Sequence, residues 1–427
     1  MKIKVKDITA EELKAVHSFE YFKPIRQNII LKSLIRILST LTLKGLDFSY
    51  STSGLEKLDK KEPFLILMNH SSFLDLKIAF KILKNRKFNI VTTDDAFVGK
   101  KNLMRHIGCI PARKFIIDTT LVKDMHYCLH TLKQPVLLFP EAGYTFDGST
   151  APLPESVGKC LKFFNVPVVI LQTNGAFLYD PLYNNLQLRK VKVSATLNYV
   201  LSKEDIKNKD VYELNNIIKE HFTFDNFKKQ QDNKVIVNES FRADSLNKVL
   251  YKCPHCLTEG KTFGKGTTMI CGHCHEEYEL TEEGRLQNLT GETLFDHIPT
   301  WYNWQREEVK KEILNGTYNF HDDVEIYVLK NYDSIYHIGS GHLVHDVNGF
   351  NLTSKELGIE YVQSPLASYS CGSDLNWYEI GDVIGIGDSK IRYYCLPKNK
   401  RDVVAKAKLA TEELYIHLME QRLLSNQ

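Results

Sequence analysis

Phe64-Leu65-Ile66-Leu67-Met68-Asn69-His70-Ser71-Ser72-Phe73-Leu74-Asp75 is an apolar run that ends in a group of polar side chains. Other short apolar runs alternate with stretches of helical spacing, at residues 136–139, 166–171, 76–83, 119–133 and 156–164. Runs that are apolar on both faces are typical of parallel strands covered by helices on both sides. The pattern therefore predicts a layered α/β domain in the first half of the chain.

The overall composition excludes several classes of protein. Of 427 residues, 43% are hydrophobic and 25% are charged, which excludes wholesale disorder and fibrous repeats. A net charge of +3 does not indicate a nucleic-acid partner. The nine cysteines are an odd number and partly clustered, so they indicate a reducing compartment rather than a disulfide framework. No secretory signal or spanning apolar run is visible, so we expect any membrane contact to be made from the surface.

The polar residues after the first apolar run include a histidine and an acid separated by about one helical turn. Catalytic groups in α/β proteins collect at the carboxyl ends of strands. His70 at such a position can accept a proton from a hydroxyl, and Asp75 can hold the ring by accepting its other N–H. A His-x4-Asp pair is also frequent by chance, and the alternative is a capping aspartate beside a surface histidine.

Three later segments extend this pattern. Gly108 precedes Arg113 by five residues, Phe139-Pro140-Glu141-Ala142-Gly143-Tyr144-Thr145 ends one apolar run, and Val166-Pro167-Val168-Val169 begins another. In order and spacing, these segments and the Asn69-His70 stretch resemble the four blocks of the PlsC-type glycerophospholipid acyltransferase family, which makes phosphatidic acid from lysophosphatidic acid. The resemblance covers roughly residues 25–225, about half of the chain.

The resemblance implies a role for each matching residue. His70 is expected to deprotonate the acceptor hydroxyl, and Asp75 is expected to orient its imidazole. Arg113 is expected to grip the acceptor phosphate, whereas Glu141 and Asn69 belong to the substrate-binding set. The acyl group arrives as a thioester on acyl-CoA or acyl carrier protein, so no enzyme nucleophile is required.

The third block departs from the family. Where the family has Gly-Thr-Arg after the glutamate, this chain has Ala142, Gly143 and Tyr144. Gly143 and Tyr144 are expected to contact the substrate, but a tyrosine donates one neutral hydrogen bond and cannot replace a bidentate arginine. The acceptor head group therefore remains open at the level of the sequence.

Four cysteines form the strongest local motif in the chain. Cys253 and Cys256 are separated by 14 residues from Cys271 and Cys274, which predicts a closed tetrahedral Zn²⁺ site of the zinc-ribbon kind. Because protein ligands fill all four positions, we expect a structural role for the zinc. An iron–sulfur centre and a redox pair are the alternatives. The surrounding block is rich in glutamate, so no nucleic acid is expected.

The remaining sequence predicts the domain organisation. Residues 1–45 are expected to be a membrane-contact segment, since the apolar residues of a basic amphipathic helix recur there; packing of this stripe on the domain's own core is the alternative. The other expected units are the acyltransferase domain at 46–240, the zinc ribbon at 250–280, a mainly helical connector at 281–320 and a β-rich module of the pleckstrin-homology (PH) or GRAM kind with a final helix at 321–427.

These observations predict an enzyme that acts at a membrane. It would be a cytoplasmic protein, peripheral on the inner face of a membrane, that moves a fatty acyl group to the hydroxyl of a lysophospholipid such as 1-acylglycerol-3-phosphate. Membrane lipids, the lysophospholipid and the acyl donor are its expected partners. The alternative is a catalytically weak lipid- or protein-binding adaptor that uses the zinc ribbon and the PH-like module.

Overall fold

The N-terminal segment divides between two parts of the molecule. The computed structural model describes residues 3–116 and 118–425. Strand β1 (Val5–Asp7) pairs in parallel with residues 335–337, on an edge that a shorter neighbouring strand leaves open. Helix α1 (Ala10–Ala15) follows, and helix α2 (Ile29–Lys44) begins after a side-chain cap from Asn28. The structure therefore differs from the expected single membrane-contact segment over residues 1–45, because β1 belongs to the C-terminal sheet.

The apolar runs of the first half form one seven-stranded sheet. Its strands are β2 (Ser49–Ser53), β3 (Leu65–Met68), β4 (Asn89–Thr93), β5 (Cys109–Ala112), β6 (Val136–Leu138), β7 (Val168–Asn174) and β8 (Ser194–Leu201). The strand order is β2-β8-β7-β3-β6-β4-β5. The five strands from β7 to β5 are parallel, as expected, whereas β8 is antiparallel to β7. All four residues of β3 are buried at the centre of the sheet.

Helices separate these strands and confirm the α/β class. They are α3 (Asp75–Ile82), α4 (Lys101–Ile107), α5 (Thr119–His130), α6 (Ser156–Phe164), α7 (Ala176–Tyr179), α8 (Lys203–Asn208), α9 (Val211–Phe222) and α10 (Asn226–Asp232). One apolar cluster lies under α5, α6 and α9, and a larger one lies under α2 and α3. The sheet is thus covered on both faces, which explains its two-sided apolar strands.

The cysteine-rich block forms a small antiparallel sheet. Its strands are β9 (Thr262–Lys265), β10 (Thr268–Cys271), β11 (Glu277–Leu280) and β12 (Leu286–Asn288), in the order β12-β11-β10-β9. Helix α11 (Ile298–Leu314) follows. The expected connector at 281–320 therefore supplies a strand to the cysteine-rich sheet as well as a helix. Its Trp301 is buried and donates from Nε1 to the carbonyl of Lys252, 3.0 Å away, which fixes the helix on the block.

The C-terminal region is a β meander closed by a helix. It comprises β13 (Asn319–Leu329), β14 (Ile335–Asp346), β15 (Gly349–Ser354), β16 (Ile359–Gln363), β17 (Asp374–Trp377), β18 (Gly381–Gly387), β19 (Arg392–Pro397) and α12 (Val403–Ser425). The strand order is β16-β15-β14-β13-β19-β18-β17, with β1 added to β14. The β-rich module with a final helix is present, and its PH-like identity stays a prediction.

The C-terminal region packs directly on the first domain. The Ser368 hydroxyl donates to the backbone carbonyl of Phe115 at 2.9 Å, and the ring of Tyr369 lies edge-on to the Phe115 ring at 5.1 Å. Buried residues from β3 to α12, among them Met68 and Leu414, belong to one continuous apolar cluster. The loops at the carboxyl end of the central sheet are therefore covered by the C-terminal region.

Candidate active site

His70 and Asp75 meet at the carboxyl end of the central strand β3. Nδ1 of His70 lies 3.0 Å from Oδ2 of Asp75. The same oxygen accepts the backbone N–H groups of Ser71 at 2.8 Å and Ser72 at 3.1 Å. Helix α3 begins at Asp75 with Leu74 as its cap residue, so the serines support the carboxylate through their backbone instead of capping the helix. The structure brings the predicted base and its orienting acid together.

The surroundings of the pair keep the imidazole neutral. Burial, together with the ammonium group of Lys114, lowers the pKa of His70 to about 3. Burial raises the pKa of Asp75, whereas the two backbone N–H donors lower it. Because the carboxylate accepts, Nδ1 carries the proton and the lone pair lies on Nε2. No residue in the described ranges 3–116 and 118–425 hydrogen-bonds Nε2, so this atom is available as a base.

Two aromatic rings hold the imidazole from both faces. The ring of Phe139 stacks on one face with centroids 4.1 Å apart, and the ring of Tyr144 stacks at 3.7 Å. Phe73 continues the stack beyond Tyr144 at 5.2 Å. The side chain of His70 is 17% exposed, so an edge of the ring remains accessible. Tyr144 therefore contacts the base itself.

Asn69 connects two neighbouring strands. Its Oδ1 accepts the backbone N–H of Thr173 at 2.8 Å, and its Nδ2 donates to the hydroxyl of Ser71 at 2.9 Å. The side chain is fully buried. These contacts use the amide to hold the end of β3 against β7, beside the base. In this structure, the predicted substrate-binding residue acts within the framework of the site.

Glu141 supports the backbone on which His70 is carried. One oxygen accepts the N–H of His70 at 2.9 Å, and the other accepts the N–H of Ala151 at 3.0 Å. Burial raises the pKa of Glu141, whereas these two donors lower it. With both carboxylate oxygens bonded inside the fold, Glu141 fixes the position of the base.

The loop after Glu141 has an unusual backbone. Ala142 has φ +54°, a left-handed conformation that costs an alanine about 1–2 kcal/mol and a glycine almost nothing. The family has glycine at this position, so the chain keeps the turn without the residue that suits it. A Cβ on Gly143 would lie 3.5 Å from the Phe115 ring, so the loop packs closely there.

Arg113 lies in a cleft beside the site. Its Nη1 is 2.9 Å from Oδ2 of Asp118, the cap residue of α5. The cleft, of about 370 Å³, is lined by Arg113, Asp94, Phe19, Tyr332 and others but not by His70. Acidic groups outnumber cations around it. The structure does not bring Arg113 and His70 into one pocket, and Arg113 remains a predicted phosphate ligand.

Several residues of the site were not predicted from the sequence. Thr173 binds Asn69, Phe139 stacks on the base, and Lys114 is the cation that acts on His70. Phe139 lies in the third block and Lys114 directly follows the second, and this proximity could have suggested a role for both residues. Thr173 carries no such signal, because its role depends on the pairing of β7 with β3.

The four predicted cysteines form a separate cluster. All four Sγ atoms lie within 4.8 Å of one another, with Cys253 and Cys274 at 3.6 Å and Cys256 and Cys271 at 3.7 Å. Among the described residues, these four cysteines are the group of three or more His, Cys, Asp or Glu side chains that lie close enough to bind one ion. The cluster lies on the turns of the small sheet and does not adjoin His70.

The apolar stripe of α2 faces solvent. Six of its side chains are between 51% and 74% exposed: Ile29, Ile30, Leu34, Ile37, Leu38 and Leu41. Arg36, Lys81 and Lys84 lie next to the stripe in a shallow groove. The alternative in which the stripe packs on the core is therefore wrong. Among the described residues, no helix is long and apolar enough to cross a bilayer.

Comparisons with known proteins find a matching family model and weak similarity to a solved structure. A search of curated proteins returns no match. Among solved structures, a 1-acyl-sn-glycerophosphate (LPA) acyltransferase, PlsC, from Thermotoga maritima is similar with a TM-score of 0.34 and 15% identity, over 44% of this chain and 76% of that chain. Residues 50–171, which include His70, Asp75 and Glu141, match the model of the Acyltransferase family.

Proposed function

We propose that the protein is an O-acyltransferase that transfers a fatty acyl group from acyl-CoA or acyl carrier protein to the hydroxyl of a lysophospholipid. One observation carries the proposal: a neutral imidazole, held at Nδ1 by Asp75 at 3.0 Å, presents an unbonded Nε2 at the carboxyl end of the central strand. A proton acceptor of this kind activates an alcohol and needs no enzyme nucleophile. The match of residues 50–171 to the Acyltransferase family supports the same chemistry.

The reaction balances with this one base. Nε2 of His70 takes the proton of the acceptor O–H while the oxygen attacks the thioester carbonyl carbon. Asp75 stabilises the imidazolium that forms, as the carboxylate does in other histidine-based sites. When the tetrahedral intermediate collapses, the C–S bond breaks and the thiolate takes the proton from the imidazolium. The products are the ester and the free thiol of the donor.

The cysteine cluster is proposed to hold a structural Zn²⁺. Four thiolates at about 2.3 Å from a tetrahedral ion stand about 3.8 Å apart, and the two close sulfur pairs are separated by 3.6 and 3.7 Å. Bound zinc would stabilise the two turns that carry Cys253, Cys256, Cys271 and Cys274. Because four protein ligands complete its coordination, the ion takes no part in acyl transfer.

We further propose that α2 carries the protein on the cytoplasmic inner face of a membrane. Its exposed stripe and the adjacent Arg36, Lys81 and Lys84 suit an anionic lipid surface. In a flotation assay, the wild-type protein should float with anionic liposomes, whereas the double variant Ile37→Glu/Leu41→Glu should not. The matched control is Val362→Glu, at an equally exposed apolar residue in the C-terminal sheet. Equal flotation of all three proteins would contradict the proposal.

A second candidate is a lipid- or protein-binding adaptor with little activity. The observation that favours it is the coverage of the imidazole by Tyr144, which leaves His70 only 17% exposed. The test is an acyl-transfer assay in which purified protein receives a mixture of lysophospholipids and each donor in turn, with lipids read by mass spectrometry. Product formation supports the enzyme, whereas its absence for every donor and acceptor supports the adaptor.

A further inference from the structure

A buried carboxylate from outside the recognised blocks reaches the turn that carries the base. Oδ1 of Asp180 lies 2.5 Å from the hydroxyl oxygen of Ser72, and Asp180 is only 5% exposed. Asp180 directly follows α7, whereas Ser72 follows β3, so 108 positions of sequence separate the two residues. Two distant segments of the chain therefore meet within hydrogen-bond distance beside the candidate active site.

The turn after β3 supplies hydrogen-bond donors to this carboxylate. The hydroxyl of Ser72 is one donor, and the backbone N–H of Phe73 is a second. Burial raises the pKa of Asp180 to about 7, although both donors lower it. Burying a carboxyl group costs free energy unless hydrogen bonds satisfy it. The contact therefore holds Asp180 and the turn against each other.

Ser72 connects Asp180 to the acid that orients the base. Its hydroxyl oxygen accepts the backbone N–H of Leu74 at 2.9 Å, and its own backbone N–H donates to Oδ2 of Asp75 at 3.1 Å. A hydroxyl has one proton to donate, and because Leu74 supplies a donor, that proton points to Asp180. The side chain of Ser72 is thus fixed from both sides, and its backbone amide is directed at Asp75.

The carboxylate of Asp75 depends on this turn for its orientation. Its Oδ2 accepts from Nδ1 of His70 and from two backbone N–H groups, one of which belongs to Ser72. Its Oδ1 is buried and has no hydrogen-bond partner among the described residues. The hydroxyl of Thr173 lowers the pKa of Asp75, but its hydrogen bond goes to Asn69 at 3.2 Å. A shift of the turn would therefore move the carboxylate relative to the imidazole.

We infer that Asp180 is a positioning residue that fixes the turn at Ser72 and so holds Asp75 in the orientation that the base requires. Asp180 acts through these two residues, and the proton transfer itself remains with His70. The inference rests on the proposed function, because a base that transfers no proton needs no orientation. It extends the catalytic arrangement beyond residues 50–171, the range that matches the family model.

The experiment measures kcat and KM of the full-length protein for the lysophospholipid and the acyl donor that it uses best. Asp180→Ala should lower kcat by about 10–100-fold, because a misplacement of about 1 Å at a reacting group can cost about 10²-fold. KM should change by less than about twofold, since the substrate contacts are kept. Asp180→Asn retains an acceptor oxygen for the hydroxyl of Ser72 and should recover most of the lost kcat.

A double variant tests whether Asp180 acts through the serine. The kcat of Ser72→Ala/Asp180→Ala should lie within about threefold of that of Asp180→Ala, because both changes break the same link. Fully additive losses would overturn the inference. The matched control is Asp322→Ala, at a carboxylate that is 4% exposed and accepts the backbone N–H of Lys400 at 2.8 Å in the C-terminal region. That control should lower the unfolding temperature and keep the wild-type kcat.

The outcomes distinguish this inference from the proposed function. If neither the wild-type protein nor Asp322→Ala transfers an acyl group to any lysophospholipid, the proposed function fails, and the role of Asp180 fails with it. If the wild-type protein is active but folded Asp180→Ala keeps its kcat, or if Asp180→Asn recovers none of the loss, only the positioning role is overturned. Should Asp180→Ala fail to fold in a thermal unfolding assay, Ser72→Ala decides the question. A lower kcat at unchanged KM in Ser72→Ala supports the role, and a wild-type kcat overturns it.

Discussion

The candidate active site and the cysteine cluster are assembled in opposite ways. The four cysteines come from 22 consecutive residues and two turns of one small sheet. The site around His70 draws on the ends of β3, β6 and β7 and on the loop after β5. The cysteine cluster depends on local geometry, whereas the surroundings of His70 depend on the packing of two regions that are distant in sequence.

This difference shows which sequence patterns can be interpreted alone. Spacing decides whether two cysteine pairs can share an ion, because each pair lies on its own turn. The His70–Asp75 contact is also local, and it too follows from spacing. In contrast, the protonation state of His70 and the rings that stack on it depend on Lys114, Phe139 and Tyr144, which are distant from His70 in the sequence.

The largest expected effect is that of removing the base. His70→Ala should lower kcat by about 10²–10⁴-fold, because positioned general bases typically contribute that much. The measurement is turnover on the preferred acceptor, with thermal unfolding and zinc content recorded on the same sample. His106→Ala, at an exposed histidine of α4, is the control and should retain full activity. Equal activity of His70→Ala and His106→Ala would contradict the role of His70 as the base.

Removing a cysteine ligand should affect stability. If the cluster holds the proposed Zn²⁺, Cys271→Ser should lower the bound zinc from one ion per chain and lower the free energy of unfolding by about 3 kcal/mol or more, since metal binding contributes directly to folding. Metal analysis and chemical denaturation measure the two effects. Cys160→Ser, at a half-buried cysteine outside the cluster, should keep its zinc. Unchanged zinc in Cys271→Ser would contradict the four-cysteine site.

The pH dependence of activity tests the environment of His70. For a histidine with the ordinary pKa of about 6.5, the neutral fraction would fall about 25-fold between pH 7 and pH 5. Because burial lowers the pKa of His70 to about 3, the neutral form persists there. We therefore expect kcat/KM to change by less than about threefold from pH 7 to pH 5. An acid limb near pH 6.5 would show that the ring is solvated during turnover.

The smallest expected effect concerns the loop beside the base. Ala142→Gly should raise the free energy of unfolding by about 0.5 kcal/mol, because the relief of the left-handed alanine exceeds the entropy cost of glycine. Chemical denaturation provides the measurement. Ala151→Gly, in the same region but without a positive φ, should instead destabilise the protein slightly. A destabilised Ala142→Gly would mean that the loop gains from the methyl group.

Much of the fold was predictable because burial leaves a periodic pattern. The apolar runs became β3, β6 and β7, and the stretch at residues 156–164 became α6 with the same bounds. The antiparallel direction of β8 and the pairing of β1 with β14 were not predictable, since strand direction and long-range pairing depend on how the chain returns. The exposure of the α2 stripe was likewise left open, because an amphipathic pattern does not say what its apolar face contacts.

The sequence alone determined the features that arise within a turn or two of chain: the contact between His70 and Asp75, the four-cysteine cluster and the alternation of strands and helices. Tertiary structure decided the rest. It assigned Asn69 and Glu141 to the framework of the site by giving their polar atoms partners inside the fold. It also paired Lys114 with Asp374 across 260 positions of sequence. Local spacing sets which groups can meet nearby, but charge balance and burial depend on every chain segment that packs around them.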